Sequence, residues 1–390
     1  MEPPPPDSAA DIAGYEHAVA EAEARGGAYG AEAVEALVGL GLAQRAAGNH
    51  AGSLAALRRA LYVSRINEGL HHPRQVDLLE RIIEAQGRLG DWRGVDDSFH
   101  YMLWVLRRSY PAGDPRLMLA ADRIGRWHLQ ATALDAPSRT GEHIATARHL
   151  LAYSLQNSAR FWAPEDPRLL GPLRADAAVQ FRIAEMMQAG LAEEPSIHRL
   201  ARYRGSSDFE RIRMEQHRFV AQAEGTKALE RVVRIEQSRP DRSAREIARA
   251  LLDLGDWNLQ FFRYSQARDA YARAHAALVA GGTAAAEIDA LLGTPRPIDN
   301  LYVDPVVPVE TPVAGARVVL VHGVDEYGVP SRPRVVEEES VADDELRRQA
   351  RSALRGTRFR PALQDGRPRA VSDLRFEKVF PAHTLETAEK

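Results

Sequence analysis

The sequence predicts a mainly α protein, an α-solenoid of helical hairpins followed by a small α+β domain of order β-β-α-β. Three observations predict it. A repeat with a period of about 42 positions runs as far as residue 280, and a proline-dense stretch follows it. After residue 313 the hydrophobic pattern changes from helical spacing to short β-rich runs around one amphipathic helix.

The elements follow in chain order. Residues 1–12 open with MEPPPPDSAA, a proline-rich start expected to be disordered. Residues 13–280 carry the repeat. His-Pro-Arg at 72–74 and Asp-Pro-Arg at 114–116 and 166–168 each open an amphipathic segment. Pro73 and Pro115 lie one period apart, and Pro115 and Pro167 one period plus an insertion. The motif starts helices, because a polar side chain caps free backbone N–H groups and proline sits in the first turn, where its missing donor costs nothing. Gly41, Ile83 and Gly125 keep the same spacing, and Gly48-Asn49 and Gly90-Asp91 mark turns into second helices. Each unit is therefore a helix-turn-helix hairpin, and four to six are expected.

The clearest unit is LLDLGDWNLQFFRYSQARDAYARAHAAL, with Gly255, Tyr264, Ala267, Tyr271 and Ala274 at regular positions. This pattern resembles the tetratricopeptide repeat in its longer form. The resemblance implies a superhelix whose concave face is lined by the first helix of each hairpin, a groove for a peptide or protein partner. Arg45, Glu80, Glu84, Asp122 and Arg126 are the candidate groove residues.

Residues 281–312 hold Pro295, Pro297, Pro305, Pro308 and Pro312 and read as a semi-rigid linker. The C-terminal domain is expected over 313–382, with a tail at 383–390. Within it, RVVLVHGVDEYGVP suggests at first the His-Gly strand of an esterase. An α/β-hydrolase also needs a G-x-S-x-G elbow, which is absent from the chain, and the stretch after His322 is too short for that sheet. The expected elements are strands at 318–324 and about 331–338 joined through Glu326-Tyr327-Gly328, a helix from Asp343 to Gly356, and a last strand at 370–380.

That order, with Gly328, RFRPA at 358–362, Gly366, Pro368 and Phe380, resembles the C-terminal domain of the TonB family of energy transducers. The resemblance covers only the last sixth of the chain. It implies a periplasmic domain whose sheet edge accepts a strand from an outer-membrane transporter, with Asp373, Arg375 and Glu377 as candidate edge residues. The chain departs from the family in having no apolar run long enough for a membrane helix and only a short spacer.

Composition narrows the function classes. The 390 residues are 45% apolar and 27% charged with net charge −3. That balance supplies no global basic field for nucleic acid. The absence of cysteine excludes disulfides, thiolate zinc sites and thiol nucleophiles. His71, His72, His143 and His149 show no helical ligand spacing, so no metal and no cofactor are expected. Nor do the first ten residues read as a signal peptide. The resulting expectation is a non-enzymatic protein–protein adaptor of the bacterial cell envelope, periplasmic, that binds one partner by the repeats and another, such as an outer-membrane transporter segment, by the sheet. A component of energy-coupled outer-membrane transport and a cytoplasmic repeat scaffold are the alternatives.

Overall fold

The structure is a computed structural model that describes residues 8–189, 207–298, 303–309, 314–340 and 342–381. Residues 1–7 of the expected disordered start and all of the 383–390 tail lie outside them. The protein is mainly helical with a small C-terminal sheet region, as the sequence predicts. It divides into two compact units, Met1–Phe161 with Asp304–Glu310, and Trp162–Val303 with Thr311–Lys390.

The first unit contains α1 (Ser8–Gly26), α2 (Ala33–Ala46), α3 (His50–Glu68), α4 (Gln75–Arg88), α5 (Trp92–Ser109), α6 (Pro115–Ala131) and α7 (Thr140–Ser158). Each helix packs on the next, so that α2/α3, α4/α5 and α6/α7 are hairpins. The turn chemistry acts where the sequence places it. Gly48 and Gly90 take positive φ (77° and 69°) and close the preceding helices. Asn49 then caps α3 by accepting from the Gly52 N–H at 2.9 Å, and Asp91 caps α5 by accepting from Gly94 at 3.0 Å. Asp114 does the same for α6, with Pro115 in the first turn. The hairpins close because small residues face large ones: a Cβ on Gly41 would lie 2.8 Å from the Leu57 side chain, and one on Gly125 would lie 2.7 Å from Leu151. Leu57, Phe99, Met102, Ile124 and Trp127 fill a continuous core with almost no exposure.

The second unit begins with α8 (Leu170–Ala189), α9 (Ser207–Ser238), α10 (Ala244–Gln260) and α11 (Tyr264–Ala280). The Gly-on-large contact recurs here, with a Cβ on Gly255 falling 2.3 Å from the ring of Tyr271. The stretch expected as linker holds α12 (Ala285–Leu292) and a short strand β1 (Arg296–Pro297). Strands β2 (Ala314–Val324) and β3 (Arg334–Val335), α13 (Asp344–Gly356), the short strands β4 (Phe359–Arg360), β5 (Ala362–Gln364) and β6 (Arg367–Arg369), and β7 (Val371–Pro381) complete the unit. The main sheet is antiparallel in the order β3-β2-β7, and α13 packs on it through Leu346, Ala350 and Leu354 against Ala316, Val318, Leu320 and Phe380. Asp343 caps α13 by accepting from the Leu346 N–H at 2.8 Å.

The small strands attach the sheet region to the helices of the same unit. β1 pairs β4 with Pro297 opposite Phe359, β5 packs on α12, and β6 packs on α11. Arg360, in the RFRPA run, reaches Asp256 of α10, and Asp256 also accepts from the Tyr271 hydroxyl at 2.9 Å.

Candidate functional site

The first unit carries the most developed site. Helices α2, α4 and α6 present one face of their polar residues to a common groove, as expected for the first helices of stacked hairpins. Arg45 and Glu84 meet across α2 and α4 at 2.6 Å, and Arg123 pairs with Glu80 across α6 and α4. These four line a cleft of about 450 Å³ together with Asp77 and Arg81. Three of the five sequence-predicted groove residues, Arg45, Glu80 and Glu84, are therefore together. Asp122 and Arg126 are not with them. They pair with each other one turn apart on α6 at 2.8 Å, with Asp122 largely buried, and burial pushes its carboxyl above the ordinary range although Arg126 opposes the shift. Their neighbour Arg123 takes the place in the cleft.

The groove holds a guest from its own chain. Residues 304–309 run through it as an irregular segment that bends at Val306–Val307. Gln130, at the end of α6, grips the bend by its side-chain amide: the oxygen accepts from the N–H groups of Val306 (3.0 Å) and Val307 (3.1 Å), and the amide N–H donates to the Val307 carbonyl (2.7 Å). Val307 is 1% exposed. It sits on Gly87 of α4, where an added Cβ would lie 2.3 Å from Val307 Cγ1 and 2.7 Å from the Pro308 carbonyl oxygen. Gly87 is thus a notch cut in the helix for the segment. Sequence reasoning missed both Gln130 and Gly87, since neither carries a local signal of a contact with so distant a part of the chain.

In the second unit the predicted edge residues lie on β7. Leu374, Phe376 and Phe380 point toward α13, so Asp373, Arg375 and Glu377 share the opposite, outer face. They form ion pairs: Arg375 with Glu339 of the turn after β3 at 2.6 Å, and, across the sheet, Glu377 with Arg317 at 3.8 Å and Asp373 with Arg334 at 3.8 Å. Asp373 takes φ 57° in a bulge, where Ser372 and Asp373 together oppose Gly323. β7 pairs β2 on one side and no other strand among the described residues.

A buried polar cluster joins α5, α6 and α7. Asp96, His128 and His143 bring ligand-type atoms within 4.8 Å of one another, the one such group among the described residues. Its bonds are already assigned within the protein. Asp96 accepts from the Trp127 indole at 2.6 Å and from Arg139 at 2.6 Å, and His143 Nε2 faces Asp135 at 3.0 Å. The Nδ1 atoms of His143 and His128 lie 2.8 Å apart and share one hydrogen bond. That leaves His128 Nε2 buried and without a partner. Burial pushes the His128 imidazole down to about 4. The Arg139 guanidinium on Asp96 opposes a second cation there, so the cluster reads as a histidine relay hydrogen-bonded within the protein. Three helices contribute one residue each, which is why no spacing motif marks it.

No family model matches the chain, and no curated protein matches it. Among solved structures, the crystal structure of BtubC (BKLC) from P. vanneervenii is similar at 12% identity, with 77% of this chain and 99% of that chain covered. Its TM-score is 0.44, and a likeness at that level carries no argument about this chain.

Proposed function

We propose that the chain is a non-enzymatic protein–protein adaptor of the bacterial cell envelope, which receives a short peptide segment in the groove of its first unit and a strand at the free edge of β7. One observation carries the reading. The groove already seats a short segment, gripped through its main chain by Gln130 and through a buried valine on Gly87. Side-chain amides that bond a guest backbone, with a glycine notch beneath an aliphatic anchor, suit peptide recognition.

The resemblance to the tetratricopeptide repeat is supported by the small-on-large contacts Gly41–Leu57, Gly125–Leu151 and Gly255–Tyr271, which repeat down the hairpins. The resemblance to the TonB C-terminal domain is supported by the β2-β3-α13-β7 order and by the open edge of β7. The envelope setting, and outer-membrane transporter segments as partners of β7, rest on that second resemblance alone. No helix among the described residues is long and apolar enough to cross a membrane.

The test is a transverse-relaxation-optimised NMR titration of the full chain with peptides from the N-terminal regions of outer-membrane transporters. Shifts concentrated along 371–381 at micromolar to millimolar peptide are expected for strand addition. Shifts around 80–87 and 123–130 are expected for peptides that enter the groove. An unchanged spectrum at millimolar peptide refutes the adaptor reading.

A further inference from the structure

We propose that residues 304–309 are a resident competitor, and that the partner of the groove is a segment of the same chemistry, two aliphatic residues between prolines, which must displace them. The inference rests on the reading of the groove as a peptide site and adds what the peptide is and how access to it is controlled.

The specificity follows from three features of the seat. Gln130 needs free N–H groups at both central positions, so neither Val306 nor Val307 can be replaced by proline without loss of a bond. The prolines at 305 and 308 flank that pair and restrict the backbone on each side, which lowers the entropy of ordering the bend. Gly87 accepts a β-branched side chain at the second position and leaves no room for a Cβ of its own. A glycine inside a helix is unfavourable relative to alanine, and the close approach of Val307 is the contact that gives this one a purpose.

The control follows from the unfilled part of the groove. The cleft of about 450 Å³ beside Val306 and Pro308 is lined by Arg45, Glu80, Arg81, Glu84 and Arg123 and holds none of the segment's charged side chains. A partner with the same aliphatic pair and charged residues beside it gains contacts there that the resident segment does not make. That cleft is the foothold from which displacement begins. Because the competitor is part of the same chain, its competition does not depend on protein concentration, and a partner's apparent affinity falls by the fraction of molecules whose groove is free.

The experiment uses the full chain and a fluorescein-labelled peptide of sequence VDPVVPVET, read by anisotropy. Val307→Asp unseats the resident segment, since the pocket on Gly87 is apolar, and is expected to bind the peptide about 10- to 100-fold more tightly than the unaltered chain. Val307→Pro, which removes the N–H that Gln130 accepts, must act in the same direction. Adding Gly87→Leu to Val307→Asp is expected to abolish binding. If both unseated variants bind with the affinity of the unaltered chain and Gly87→Leu still abolishes binding, the groove is a peptide site but the segment is no competitor, and the inference falls alone. If folded Val307→Asp and Val307→Pro chains fail to bind at millimolar peptide, the peptide-site reading falls and the inference with it.

Discussion

Replacing Arg360 with methionine tests what fastens the C-terminal sheet region to the helices of the second unit. Arg360 meets Asp256 in a two-pronged bond, Nε to Oδ1 at 2.8 Å and Nη2 to Oδ2 at 2.5 Å. Their side chains are only 16% and 6% exposed, so water does little to screen either charge. Methionine keeps the apolar stem but leaves the Asp256 carboxylate buried with the Tyr271 hydroxyl as its remaining donor among these bonds. Removing one partner of a buried pair costs about 3–5 kcal/mol. The Tyr271 bond persists, so the lower half of that range, about 3 kcal/mol, is expected. Hydrogen exchange by mass spectrometry, on peptides covering 250–260 and 357–370, reads the loss where it occurs. The double variant Arg360→Met with Asp256→Asn removes the stranded charge while keeping an acceptor for Tyr271, and is expected to recover about 2 kcal/mol or more. A change below about 1 kcal/mol in the single variant, or no recovery in the double, would refute the claim that this pair fastens the sheet.

Other outcomes follow from the same packing. Gly255→Ala is expected to destabilise the second unit by about 1–3 kcal/mol, because the new methyl meets the buried Tyr271 ring and overpacking outweighs the gain in helix propensity. Gly14→Ala, with nothing within 4 Å of the added carbon, is expected to stabilise by about 0.4–1 kcal/mol, and thermal melts of the pair separate the two effects. Acid acts oppositely on the two units. His128 titrates near 4 when folded and near 6.5 when unfolded, so between those values the unfolded chain binds the extra proton and stability is lost as pH falls. From pH 7 to 5 His128 alone is expected to cost the first unit about 2 kcal/mol, offset in part by the raised carboxyl of Asp122 on the same helix. Burial raises Asp253 of the second unit to about 6, so there the folded form binds the extra proton and acidification through the same range is stabilising. Exchange-derived opening free energies for 120–131 and 250–260 should move in opposite directions, and His128→Phe should remove the acid loss in the first unit. Equal movement of both peptides would count against the histidine relay as drawn.

What could be read from the chain alone was what local chemistry encodes. Asn49, Asp91, Asp114 and Asp343 stand before their helices and cap them, because a cap is decided by its immediate neighbours. Arg45, Glu80 and Glu84, named from the repeat period, line one cleft. On α6 the expected face was rotated, because Arg123 and not Asp122 or Arg126 enters the cleft, a difference of about 60–100° around a helix. Asp373, Arg375 and Glu377, expected on a sheet edge, lie on β7 with their side chains on its outer face, and the bulge at Asp373 was invisible because no nearby residue type demands it. Proline density described residues 281–312 by composition. Composition has no address, so it did not reveal that Arg296–Pro297 pairs with β4 or that Val307 lands on Gly87. The histidine relay was hidden for the same reason, its members lying on three helices and joined only by packing.

The late position of Asp304–Glu310 in the chain sets a schedule for the molecule's birth. The rest of the first unit ends at Phe161, and the segment that completes it is translated only after most of the second unit's helices. At about 5–20 residues per second, roughly 7 to 30 s separate the emergence of Phe161 from that of Val307. Throughout that interval Gln130 and Gly87 have been made while Val306 and Val307, the residues they will contact, have not. The residues that will seat the segment are thus made well before it, and the core of the first unit lacks Val307 until the second unit's helices have been synthesised.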